Sequence, residues 1–176
     1  MSNLRLFTAI SVPETIQNNL IHLAPPKARL EKKFHLTLNF IGNVPSEKLE
    51  TLIAALESIK RPSFVVKVEG IGLFKYTMWA GARLTQELSE LKKAVDLQVQ
   101  SALGLELEKT LYKPHLTIAR LKLISSATRE IVEANKKLVT GEFKALSFGL
   151  WRSHLEPKEA RRTIIKEFPL EDGPEE

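Results

Sequence analysis

The apolar positions of the chain fall into short runs of two different periods. Residues 4–10, LRLFTAI, alternate as a strand does, and VPETIQNNLIHL follows with Pro13 suited to the first turn of a helix. A Pro-Pro loop at 25–26 and a basic stretch lead into FHLTLNFI, residues 34–41, rich in residues that favour extended backbone and stopped by Gly42. In PSEKLETLIAALESI, residues 45–59, Leu49, Leu52, Ile53 and Leu56 share one helical face. SFVVKVEGIGLF, 63–74, and TMWAGARL, 77–84, predict two strands joined at Lys75-Tyr76. Leu88, Leu91, Val95, Val99 and Ala102 recur at helical spacing over 86–103, a core-packing pattern closed by Gly104. A strand over 114–121, a helix over 126–138 and strands over 142–151 and 160–169 complete the order, and the acidic tail EDGPEE is expected to fray.

Written as strand-helix-strand-helix-strand-strand and then helix-strand-helix-strand-strand, the two halves echo each other. The order predicts an α+β fold of two pseudo-symmetric lobes of antiparallel sheet, with helices packed outside and a cleft between. A mainly parallel sheet is the alternative. No low-complexity linker separates the halves, so 1–176 is expected to be a single domain of two interleaved lobes.

One phrase occurs twice. HLTL at 35–38 returns as HLTI at 115–118. With 27 Leu and 11 Thr in 176 residues, a given His is followed by Leu-Thr about one time in a hundred by composition alone. Only four His are present, so a second copy arises by accident with a probability of about 3 %. In a strand, residues i and i+2 share a face, which puts His35 beside Thr37 and His115 beside Thr117, with the intervening leucine and the following aliphatic turned the other way. If the lobes pack with these strands facing, two imidazoles and two hydroxyls converge on one cleft.

Composition narrows the chemistry such a cleft would do. There are no cysteines, which excludes thiolate zinc sites, redox pairs and a cysteine nucleophile, and fits a reducing, cytoplasmic setting. The amino-terminal apolar run is too short for a signal peptide, and no run approaches the ~20 apolar residues of a membrane span. The net charge of +5 leans towards an anionic partner, and the basic residues cluster at Lys27, Arg29, Lys32 and Lys33 and again at Lys158, Arg161 and Arg162.

Imidazole titrates near neutrality, so one of a facing pair can accept a proton while the other donates one. Hydroxyls donate to oxygens that carry negative charge, and displacement at phosphorus needs groups at both ends of a line. A phosphodiester is the substrate this set suits. Metal ligation is the rival use of histidine, but neither copy has a carboxylate or second His at short spacing, so no metal site is expected. His22 and His154 stand alone and are expected to be structural.

The chain resembles the 2H phosphoesterase superfamily, and within it the bacterial and archaeal RNA 2′,3′-cyclic phosphodiesterases, also known as 2′-5′ RNA ligases. The resemblance is carried by RLFTAISVP, HLTLNFIGNV, MWAGARL, PHLTIARL and LWRSHLEP and spans nearly the whole chain. It implies a bilobal fold and opening of a terminal 2′,3′-cyclic phosphate to a 2′-phosphate, without metal or nucleotide cofactor. It also implies His35 as general acid and His115 as general base, roles that the sequence by itself does not separate. Thr37, Thr117 and Arg120 are the implied phosphate contacts. Phe7, Phe40, Phe74 and Trp79, on strands expected near the cleft, are candidates to stack on a base. Where many relatives carry a tyrosine before the last strand, this chain has Thr163 in ARRTIIKEF, which bears on substrate contacts at that rim. RNA ends bearing a cyclic phosphate are the expected partner, acted on by a monomer with no obligate protein partner. Two other readings are an RNA-binding module without catalysis and a phosphodiesterase of small cyclic nucleotides.

Overall fold

The computed structural model describes residues 2–106, 110–158 and 160–172. Strand β1 (Asn3–Ser11) is followed by helix α1 (Glu14–Leu20), a two-residue strand β2 (Arg29–Leu30) and β3 (His35–Pro45). Then come α2 (Leu49–Glu57), β4 (Phe64–Phe74), β5 (Thr77–Ala82), α3 (Gln86–Leu103) and β6 (His115–Arg120). Helix α4 (Ser126–Ala134) and strands β7 (Val139–Ala145), β8 (Ser147–Leu155) and β9 (Ala160–Pro169) complete the chain.

The strands form two sheets, in the orders β3-β1-β8-β9 and β2-β6-β5-β4-β7, and every ladder within them is antiparallel. Each sheet holds one copy of the repeated phrase. The sheets are not the two halves of the sequence: β8 and β9 return to pair with β1, while β4 and β5 join β6. The lobes are therefore interleaved, and β1, lying inside its sheet, is covered on both faces from Leu6 to Ile10.

One large apolar core ties the lobes together. Leu36 and Leu38 of β3 and Leu116 and Ile118 of β6 are buried in the same cluster as Leu52 and Leu56 of α2 and Leu88, Leu91, Val95 and Val99 of α3. Burying each such side chain contributes about 1.5–3 kcal/mol. Because a slip of one residue would exchange the two faces of a strand, these leucines also hold the histidine and threonine faces outward.

Four expectations are corrected at their edges. The run 142–151 is not one strand: β7 pairs with β4 in one sheet and β8 with β1 and β9 in the other, and the chain crosses between sheets at Leu146. Gly42 does not stop β3, which continues to Pro45; its φ of 90° accommodates a bulge opposite β1. The first, second and fourth helices are shorter than their apolar patterns, with single 3₁₀ turns at Ile21–Leu23 and Ser46–Lys48 taking up part of the first two. In the tail, Glu171 is anchored: its N–H donates to the Arg61 carbonyl and its own carbonyl accepts from Ser63, whereas 173–176 lie outside the described residues.

Candidate active site

The same irregularity occurs just past both HLT phrases. In antiparallel ladders, directly paired residues share a face. Gly81 pairs with His115 and Trp79 with Thr117, but a bulge then shifts the register so that Thr77 pairs with Arg120. Simple alternation would turn Arg120 away from His115; the bulge returns it to the histidine side. On β3, Ser11 pairs with His35 and Ala9 with Thr37, and the shift that follows leaves Phe7 opposite Phe40. Each motif thus presents three residues on one face: His35, Thr37 and Phe40 on one wall, His115, Thr117 and Arg120 on the other.

The imidazoles are anchored identically. The Nδ1–H of His35 donates to the Lys33 carbonyl at 2.8 Å, and that of His115 to the Lys113 carbonyl at 2.8 Å. A carbonyl only accepts, so Nδ1 carries the proton in each ring and Nε2 is the nitrogen left to exchange one. Their surroundings differ. His35 lies against Phe7 and Trp151, with ring centroids 5.2 Å away in both cases. His115 is exposed and meets the edge of Trp79 at 6.2 Å. Burial on its aromatic shelf lowers the pKa of His35 to about 4, against the raising effect of its bond to Lys33; the charges of Arg162 and His115 add to the lowering. The His115 charge thus acts on His35 from the other sheet, and the two motif strands β3 and β6 lie in contact.

Several groups that complete the cleft carry no signal in the motifs. Tyr112, three residues before His115, donates its hydroxyl to the carbonyl of Thr37 at 2.7 Å and so ties one motif strand to the other. Burial and the charge of Asp96 raise its pKa, which keeps the phenol protonated as a donor. Arg162 of β9 binds the carboxylate of Glu31 at 2.5 Å, and Arg29 donates to the Lys158 carbonyl at 3.1 Å. Trp151 is buried and, with Phe7 and Ala9, forms a small cluster separate from the main core. Trp151 and Arg162 are far from the HLT phrases in sequence, and the ladder order brings them near; Arg29, Glu31 and Tyr112 lie a few residues before the phrases but outside the repeat.

The four aromatic candidates fare differently. Phe7 is 3 % exposed beneath His35, which leaves no open ring face for a base. Phe40 is 56 % exposed on the His35 wall, with the Arg5 guanidinium 5.2 Å from its ring. Phe74 is also exposed, at the far end of β4 under the ammonium of Lys75. Trp79 lies flat on its sheet over Gly72 and Gly81: a Cβ on Gly72 would fall inside the indole, and one on Gly81 within 3.6 Å of it. Among the isolated histidines, His22 is exposed on the 3₁₀ turn after α1. His154 shares a hydrogen bond of 2.9 Å with Thr163, and both stand on the face of the first sheet opposite the cleft. Among the described residues no three His, Asp or Glu side chains gather in a way that would hold a metal ion, and no helix is long and apolar enough to cross a membrane.

Comparison with known proteins agrees with the fold. The family described as LigT-like phosphoesterase matches residues 12–82 and, a second time, 79–160, one motif falling in each stretch. The RNA 2′,3′-cyclic phosphodiesterase of Methanocaldococcus jannaschii is 32 % identical over 178 residues, covering 94 % of this chain and 100 % of that protein. The protein of the same name from Archaeoglobus fulgidus is 29 % identical over 167 residues, covering 88 % and 94 %. The crystal structure of E. coli LigT with 3′-AMP superposes with a TM-score of 0.79 at 24 % identity, covering 96 % of this chain and 99 % of that one.

Proposed function

The chain belongs to the LigT-like phosphoesterase family, and from that premise we propose that it opens a terminal 2′,3′-cyclic phosphate on RNA to a 2′-phosphate, with His35 and His115 as acid and base. The observation that supports this reading is the pair of imidazoles, one from each sheet, each anchored through Nδ1 and so left with Nε2 for proton exchange. The relatives' names supply the substrate class; the chain's own geometry supports the chemistry.

In this mechanism the cyclic phosphate sits between the histidines, and the hydroxyls of Thr37 and Thr117 donate to its non-bridging oxygens. The Nε2 of His115 takes a proton from water, whose oxygen bonds to phosphorus. The bond from phosphorus to O3′ breaks, and the Nε2 of His35 delivers a proton to the departing oxygen. One proton is taken and one given, so solvent exchange restores both rings. With a ribose 5′-hydroxyl in place of water as the attacking group, the same two proton transfers join RNA ends by a 2′-5′ bond; attack of O3′ on that diester, expelling the 5′-hydroxyl, is the reverse. Because each sheet supplies one half-site, residues 1–176 act as one catalytic unit.

A pKa of about 4 leaves His35 neutral in the empty cleft at neutral pH. Acid duty therefore requires the bound phosphoryl group, whose negative charge opposes the field of Arg162 and His115, to raise that value. The sign follows: if the complex holds the proton more tightly, affinity for phosphate increases as pH falls towards 4, and binding near neutrality draws a proton from solvent. An NMR titration of the His35 ring with and without a nucleoside 2′-phosphate measures this. A pKa that stays near 4 in the complex would exchange the acid and base assignments.

The reaction itself is tested by phosphorus NMR of an oligoribonucleotide ending in a 2′,3′-cyclic phosphate, incubated with the protein and a chelator. Conversion to a 2′-phosphate is expected. A 3′-phosphate product, or a cyclic phosphate that survives, counts against the proposal.

A further inference from the structure

Beside the motif strands lies a basic pocket whose arginines, Arg120 included, the ring-opening steps above leave without a role. Its lining includes Arg29, Glu31, Lys32, Arg120 and Arg162. Arg29 and Arg120 are direct partners across the β2–β6 ladder, so their side chains leave the sheet together, on the side to which the bulge has returned Arg120. Arg162 comes from the other sheet. It pairs with Ser153, two residues along β8 from Trp151, and so stands on the same face as the indole that carries His35.

Three guanidiniums from three strands thus converge beside the histidine wall. Among the described residues Glu31 is the one carboxylate lining the pocket; its side chain is 9 % exposed and it is bound to Arg162. It neutralises one of the three charges, and a net positive pocket remains. Each guanidinium has five N–H donors, so the bonds to Glu31 and to the Lys158 carbonyl fix two of the heads without exhausting them. A preorganised cluster of forked donors is what a phosphate group selects.

Resting on the cyclic-phosphodiesterase reading of the site, we propose that this pocket binds the phosphate on the 5′ side of the terminal nucleoside, so that the protein grips a cyclic RNA end through two phosphates. The step from Thr117 to Arg120 is roughly 10 Å at about 3.3 Å per strand residue. A step of that size leaves room for one ribose between the threonine hydroxyls and the pocket. The pocket separates RNA ends from cyclic phosphates that lack a 5′ phosphate, a distinction the HLT phrases do not provide.

The test compares two ligand pairs. Calorimetry measures binding of a nucleoside 2′-phosphate against the nucleoside 2′,5′-bisphosphate, and kinetics measure ring opening of a nucleoside 2′,3′-cyclic phosphate with and without a 5′-phosphate. In the wild type the 5′-phosphate is expected to improve affinity and kcat/KM by about 10- to 100-fold, the scale of two or three charge-assisted hydrogen bonds offset by desolvation. The variants R29Q and R162Q are expected to lose most of that ratio. R162Q also breaks the tie to Glu31, so R29Q, at an exposed position that leaves the tie in place, is the deciding variant. A wild-type ratio near one, or a ratio retained in both variants, overturns the proposal and leaves the arginines as a clamp between lobes. A bisphosphate preference without turnover would support the pocket while refuting the ring-opening reaction, and turnover without the preference would do the reverse.

Discussion

Replacing His115 with alanine is expected to slow ring opening by about 10²–10⁴-fold, the range that a positioned general acid or base contributes. The side chain is exposed, and its ring makes one hydrogen bond, to the Lys113 carbonyl, so the fold loses little with it and the unfolding midpoint should barely move. His35→Ala is expected to cost a similar factor in rate but to disturb the protein more, because it uncovers Phe7 and Trp151. The two losses should not multiply: once one proton transfer is missing, the other has no concerted partner, and the double variant should resemble the slower single one. Single-turnover rates on an RNA with a cyclic end, measured for both single variants and the double, decide the matter. A His115→Ala protein that keeps more than a tenth of the wild-type rate would remove it from the chemistry and favour a cleft that binds RNA without catalysis.

The repeated phrase was legible because it encodes its own geometry. Alternation put each histidine beside its threonine, and the buried partners Leu36, Leu38, Leu116 and Ile118 hold that face outward. Alternation also fails at a definite point. Counting by twos places Arg120 on the core side of β6, and only the bulge found in the ladder brings it to the cleft. A bulge depends on the pairing partner, so one strand's sequence does not announce it. The same limit explains the sheet change at Leu146, where LSFGLW reads as a continuation of the preceding strand because apolar residues from two sheets enter one core. Long helices were easier: the pattern over 86–103 needs no partner to be read, and α3 spans those residues, with the Thr85 hydroxyl accepting from the Leu88 N–H at its start. The residues that differentiate the two half-sites, Trp151, Arg162, Glu31 and Tyr112, are placed by pairings between distant segments, and none of them sits in a repeated context.

Replacing Trp151 with alanine is expected to destabilise the protein by about 3–5 kcal/mol, the usual cost of emptying a large aromatic site. The indole is 1 % exposed and stacks on Phe7 at 5.7 Å. Its cluster is small and separate from the main core, so few neighbours are available to move in and fill the space. For a chain of this length that loss lowers the unfolding midpoint by roughly 10 °C. The change reaches the chemistry as well. Water entering beside His35 would weaken the burial that holds its pKa near 4, so the ring should titrate closer to the ordinary histidine value of 6.5. Trp151→Phe separates the two effects: it keeps a ring against Phe7 and His35 and discards a buried indole N–H that has no protein partner among the described residues. The phenylalanine variant should therefore recover most of the stability and keep the His35 titration low. Thermal unfolding and an NMR titration of His35 in both variants supply the comparison. If alanine leaves that titration where the wild type has it, the aromatic shelf is packing alone, and the low pKa of His35 has to come from Arg162 and His115 instead.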